Sequence, residues 1–245
     1  MQMPKRTVKT YVRREGRITP GQTRGITQFW KIYGLDATTK IVDFSKIFPK
    51  DQPVIIEIGF GMGDSLVQMA LENPQFNYLG IEVHRPGIGA LLTNLAKHQL
   101  TNVRIYNNDA LKILNLCIPD LSVSGFQIFF PDPWPKKRHH KRRLVQDQWM
   151  TLLYQKLKPN GFIHLATDIA DYALQMLAVL SKIQGLLNQA EKDFIPRPQH
   201  RPLTKFEKRA LKNGHPIFDL LFKKYLPLPL AREVARKVYF HRDNK

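Results

Sequence analysis

Five short apolar runs recur along the chain: VIIEIGFG from Val54, NYLGIEV from Asn77, NVRIYNN from Asn102, FQIFF from Phe126 and FIHLAT from Phe162. Such runs, rich in β-branched and aromatic residues and too short for helices, suit strands buried on both faces of a sheet. Helical spacing fills the gaps, in DSLVQMALENP, PGIGALLTNLAKHQL, ALKILNLC, LVQDQWMTLLYQKLKPNG and IADYALQMLAVLSKIQG. Pro74 closes the first of these, and Pro86 opens the second, where a missing N–H costs nothing. Strands alternating with helices predict an α/β fold with a doubly wound, mostly parallel, Rossmann-like sheet. REVARKVYFHR, near the end, alternates with period two and predicts a late antiparallel strand. Residues 1–50 read as a basic arm with little amphipathic periodicity between Met1 and Ala37. Residues 51–245 read as one domain, with an insertion rich in proline and basic residues at about 195–220.

In such a sheet, ligands bind at the carboxyl ends of the strands. EIGFGMG falls at the first strand-to-helix turn, where Gly59, Gly61 and Gly63 permit a tight turn and close approach to a ligand. The dinucleotide fingerprint would place its third glycine at the position of Asp64, so the loop departs from it in a way that favours an adenosyl group without a pyrophosphate. Glu82 ends the second strand, where an acid accepts hydrogen bonds from ribose hydroxyls. Asp109 follows the third and fits two roles equally, acceptor for an adenine amino group or cap of the next helix. Glu57 interrupts an apolar run, and a buried acid needs a partner. A cationic cofactor would supply one, and S-adenosylmethionine, with its sulfonium and ammonium groups, suits this lining better than NAD.

The fourth strand runs into FPDPWPKKRHHKRRL. Pro131, Pro133 and Pro135 stiffen a loop that presents Asp132 and Trp134 at the same edge. Eight basic-type residues follow, Lys136 to Arg143, with no acid among them. The chain's net charge of +18 is uneven: +8 over residues 1–50, −3 over 51–130 and +13 over 131–245. A neutral-to-acidic centre between basic flanks fits a small-molecule pocket inside a phosphate-attracting surface, and nucleic acid is the expected partner. A single cysteine, Cys117, excludes an internal disulfide. No apolar stretch reaches the roughly 20 residues that span a bilayer, and the N-terminus lacks the apolar core of a secretory signal, so a cytoplasmic location is expected. Thr204 and Glu207 have the spacing of a capping box, a structural account as good as a functional one.

Taken together, EIGFGMG, GIEVHRPG, NNDA, FFPDPWPKKRHHKRRL, LATD and RPLTKFE followed by GHPIFDL resemble the tRNA (guanine-N7)-methyltransferases of bacterial type. The resemblance implies a class I S-adenosylmethionine-dependent methyltransferase that acts on tRNA, at a guanine of the variable loop, with no obligatory protein partner and as a monomer or homodimer. It places cofactor contacts on Glu57, Glu82, Asp109 and Asp132, with Asp132 also catalytic. It places substrate contacts on Lys136, Asp168, Thr204, Lys205, Phe206 and Glu207. It places an RNA-interacting run on Arg138, His139, His140, Lys141, Arg142 and Arg143. No metal is implied. Two other readings stand beside it: a methyltransferase acting on an exocyclic amine, since Asp-Pro-Trp is similar to the loops of those enzymes, and a non-catalytic RNA-binding protein. Trp134 is left between stacking on substrate and packing beneath its loop.

Overall fold

A computed structural model of the chain describes residues 16–38 and 40–225. Among these residues, eight strands form one sheet: β1 (Gly34–Leu35), β2 (Val54–Ile58), β3 (Asn77–Glu82), β4 (Val103–Asn107), β5 (Val123–Phe129), β6 (Leu157–Thr167), β7 (Leu186–Asn188) and β8 (Phe218–Lys224). Their order is β1-β4-β3-β2-β5-β6-β8-β7. Every pairing from β1 across to β6 is parallel; β8 runs antiparallel to both β6 and β7. The five expected strands are the core, β2 to β6. The antiparallel strand exists, but it is β8 that is seen; REVARKVYFHR lies outside the described residues.

β2 shows how the sheet sorts its side chains. Val54, Ile56 and Ile58 join one core cluster and Ile55 the other, as the two-residue period of a strand requires. The first cluster packs against α5 (Ala110–Leu116), α6 (Asp147–Lys156) and α7 (Ala170–Ser181) through Ile113, Met150, Leu153 and Met176. The second packs against α3 (Asp64–Glu72) and α4 (Arg85–Lys97) through Leu66, Met69, Leu91 and Leu95. The order in which strands are added to the sheet reverses between β2 and β5, and the loops after β2, β3, β4 and β5 meet at that switch point.

The expectation of an unpatterned arm is corrected at residues 20–33, which form α1 (Pro20–Tyr33). Thr19 caps it: its hydroxyl accepts from Gln22 N at 3.3 Å while Gln22 Oε1 accepts from Thr19 N at 2.9 Å. Ile26, Phe29, Trp30 and Tyr33 then follow at helical spacing and pack on the second core cluster. α1 lies against α4 with almost no side chain between them. A Cβ on Gly25 would stand 2.5 Å from the Gly89 carbonyl oxygen, and one on Gly89 2.3 Å from that of Gln22. Two short helices complete the described residues, α2 (Phe44–Ile47) near the start and α8 (Lys205–Lys212) in the insertion.

Candidate active site

A cleft of about 1550 Å³ opens at the carboxyl ends of β2 to β5. Its walls include Gly59 and Gly61 after β2, Glu82 to Pro86 after β3, Asn107 and Asn108 at the end of β4, and Phe129 to Pro135 after β5. α1 and the residues before it add Arg17, Ile18, Thr23, Ile26 and Trp30, and α8 adds Phe206. Sequence reasoning missed the α1 contribution. The Thr19–Gln22 box and the Ile26–Trp30 spacing were the signals that could have found it.

The glycine loop is folded for this place. Gly59 (φ +77°) and Gly61 (φ +60°) take left-handed conformations, and a Cβ on either would meet nothing within 4 Å. Turn geometry and open space on the cleft side are therefore both supplied. Gly63 differs: it caps α3, and a Cβ there would strike Leu91, so it serves packing. Glu82 organises the loop, accepting from Gly61 N (3.0 Å), Val83 N (2.6 Å) and His84 N (3.0 Å). Three donors leave a carboxylate one of its roughly four lone-pair positions for a ligand.

Glu57 stands behind this wall, 2% exposed. Ser65 Oγ donates to its Oε1 at 3.3 Å, while Oε2 has no hydrogen-bond partner. Burial, outweighing the Ser65 bond and aided by the nearby Glu82 charge, pushes its pKa up to about 8. Without a cationic partner Glu57 is thus held as the neutral acid. Asp109 takes the capping role, accepting from Lys112 N at 3.3 Å at the head of α5, while neighbouring Asn107 and Asn108 face the cleft.

The loop after β5 is rigid and unusual. Phe130 (φ +52°) and Trp134 (φ +45°) both adopt left-handed conformations, costly for bulky side chains and sustained only when the surroundings enforce them. Asp132 is exposed at the cleft. A 3-10 turn over Lys137–Arg142 folds back on Trp134: the Arg142 guanidinium lies 5.0 Å from the indole centroid, and the His139 ring meets it edge-on at 5.9 Å. His139 is further discouraged from protonating, by desolvation first and then by its basic neighbours Arg138 and Arg142. Lys136, Lys137, Arg138 and Lys141 point to solvent.

Arg143, the last residue of the run expected to interact with RNA, turns inward. Its side chain is 1% exposed, with each of its three nitrogens donating inside the protein. His140 also turns inward, with Nε2 3.8 Å from Asp171 Oδ2.

In the insertion, Thr204 caps α8, its hydroxyl accepting from Glu207 N at 3.1 Å. The Glu207 carboxylate is fully buried. It accepts from Arg201 Nη1 (2.6 Å) and Nη2 (2.8 Å), and Arg201 Nη2 also donates to Asp219 Oδ2 at 2.9 Å. Asp219 in turn lies 2.8 Å from His164 Nε2, and desolvation, outweighing the Asp219 contact, holds that imidazole below its ordinary pKa. This network fastens the insertion to β6 and β8 and leaves Phe206, 62% exposed, standing at the cleft. Asp168 lies at the end of β6, 3.8 Å from His215 Nδ1, and Lys205 is exposed on α8; neither they nor Lys136 form the cleft wall.

A family model described as "Putative methyltransferase" matches residues 51–220. The tRNA (guanine-N(7)-)-methyltransferase of Histophilus somni (strain 129Pt) is 51% identical over 221 residues, covering 90% of this chain and 88% of its own. Its counterpart in Pseudomonas syringae pv. syringae (strain B728a) is 49% identical over 222 residues, covering 90% of this chain and 91% of its own. Among solved structures, the 16S rRNA methyltransferase KamB superposes with a TM-score of 0.56 at 12% identity, covering 76% of this chain and 95% of its own, a likeness of fold alone.

Proposed function

The chain belongs to the family of tRNA (guanine-N(7)-)-methyltransferases, and from that premise we propose that it transfers a methyl group from S-adenosylmethionine to N7 of a guanine in tRNA, with Asp132 at the reacting base. The observation that carries this reading is the meeting, in one cleft, of two loops: the open left-handed Gly59–Gly61 turn held by Glu82, and the rigid Asp132–Trp134 loop beneath its cationic turn.

The residues fit the donor. A buried carboxylate oxygen without a partner at Glu57 suits an ammonium or sulfonium group, Glu82 retains acceptor capacity for a ribose hydroxyl, and the Asn107 and Asn108 amides suit the edge of an adenine. When bound, the donor would supply an electrophilic methyl group to the guanine N7 lone pair, its C–S bond breaking as the N–C bond forms and its sulfur leaving as a neutral thioether. N7 needs no general base, so catalysis rests on positioning and on charge. The purine becomes positively charged as the methyl arrives, and the Asp132 carboxylate stabilises that charge while orienting the base through its N–H edge. Phe206 offers an aromatic face for the base, and Lys136, Lys205 and Asp168, which stand outside the cleft wall, contact parts of the tRNA beyond the reacting base. Lys137, Arg138 and Lys141 engage phosphates. A tRNA substrate accords with work in the cytoplasm.

The decisive experiment incubates the protein with unmodified tRNA and labelled S-adenosylmethionine, then analyses the nucleosides. 7-Methylguanosine is expected; label on an exocyclic amine, or no label, overturns the reading. Asp132→Ala should lower turnover roughly 100-fold, the scale of losing one preorganised electrostatic contact, while tRNA binding is retained.

A further inference from the structure

Arg143 ends a run of eight basic residues yet behaves unlike its exposed neighbours. Its Nε donates to the Pro133 carbonyl at 2.8 Å, Nη1 to Gln175 Oε1 at 2.7 Å and Nη2 to Asp171 Oδ2 at 2.7 Å. Its guanidinium also lies 4.6 Å from the centroid of the Tyr172 ring. Three of these four partners stand on α7, which packs behind the sheet; the fourth is the peptide carbonyl between Asp132 and Trp134. Neighbouring contacts lock the same corner: Gln175 Nε2 donates to Val145 O (3.1 Å), Val145 N donates to the Tyr172 hydroxyl (3.2 Å), and Gln146 Nε2 donates to Arg143 O (2.8 Å). The guanidinium beside Asp171 holds that carboxyl below its ordinary pKa, so it stays charged.

The tethered loop has a backbone that needs holding. It carries two bulky residues in left-handed backbone conformations, Phe130 and Trp134, flanking the exposed Asp132. Such conformations persist only where fixed contacts over-determine them. A planar fork with diverging donors can bind a carbonyl, an amide and a carboxylate at once, which a single ammonium cannot. We propose that Arg143 is a positioning residue: it ties the Pro133 carbonyl to α7, and so sets where Asp132 stands in the cleft, without touching RNA. This rests on the reading that Asp132 acts at the reacting base.

The test compares Arg143→Gln, Arg143→Lys, Asp171→Asn and Arg138→Gln in the full chain. Three quantities are measured: single-turnover methyl transfer at saturating tRNA and donor, tRNA affinity against salt, and acrylamide quenching of Trp134 with Trp30→Phe and Trp149→Phe leaving it the single indole. Arg143→Gln is expected to slow transfer roughly 100-fold, the scale of a displacement of about 1 Å, with an unchanged salt slope and increased Trp134 quenching. Arg143→Lys should restore part of the rate. Asp171→Asn, altering a side chain that is 56% exposed and so compatible with folding, should move rate and quenching the same way by less. Arg138→Gln is the reference for a true phosphate contact, lowering the slope by about 0.7–0.9. The proposal is overturned if Arg143→Gln lowers the slope like Arg138→Gln while keeping its saturated rate. Should Arg143→Gln fail to fold, unchanged rate and quenching in Asp171→Asn overturn it instead. Quenching does not depend on chemistry, so a loop that shifts while Asp132→Ala keeps full turnover would sink the role of Asp132 and leave the tether standing.

Discussion

Glu57 and Arg143 are equally hidden, 2% and 1% exposed, and they resolve the cost of burying a charge in opposite ways. Arg143 gives each of its nitrogens an acceptor and lays its plane over an aromatic ring. Glu57 has one hydroxyl donor and an oxygen with no hydrogen-bond partner, and it avoids the cost by keeping its proton. A buried charge whose partners all come from the chain is architecture. One whose partner is missing has a place for something from outside.

If this contrast is right, removing a member of a paired set should hurt folding more than removing the lone acid. The largest effect is expected at Arg201→Ala, which strands Glu207 and Asp219 in the interior. Urea denaturation should show a loss of about 3–5 kcal/mol, and a loss below about 1 kcal/mol would erase the distinction. Glu57→Gln should act on binding instead. Calorimetry should find S-adenosylmethionine bound roughly 10–100-fold more weakly, the weight of one charged hydrogen bond, with the ligand-free fold no weaker at neutral pH.

The same variant sharpens the contrast through pH. The folded-state pKa of Glu57 is raised from its ordinary 4.5 to about 8, so the native protein keeps a proton that the unfolded chain releases. Its contribution to stability is complete below pH 4.5 and is lost as pH rises through about 8. Melting temperatures of the ligand-free wild type should carry this decline across that window, and those of Glu57→Gln should lack it. Identical pH profiles would mean that Glu57 titrates in the folded protein as it does in the unfolded chain. The smallest effect is expected at Thr204→Ala. Loss of the cap on α8 should cost about 1 kcal/mol, without the collapse that Arg201→Ala brings to the same insertion.

The five central strands were legible because their apolar runs need no knowledge of distant partners. β8 was not, because its sequence FDLLFKK contains an acid and two lysines. Two of these are buried and answered from afar: Asp219 by His164 and Arg201, and Lys224 by the carbonyls of Tyr154 and Leu157. Glu57 betrayed itself by standing in an apolar run, whereas Arg143 was camouflaged in a basic one. Nothing local separates Arg143 from Arg142; the difference is made by α7, 28 to 32 residues further on. At Asp109 the residue type fitted both roles, and only the Lys112 amide showed that the cap was formed.

The backbone contact of Gly25 with Gly89 seats α1 as one wall of the cleft, although the span matched by the family model begins only at residue 51. A clone trimmed to start there would keep its central strands in order yet leave that flank of the pocket open to water. Its failure to hold a ligand would then say nothing against the residues on the sheet.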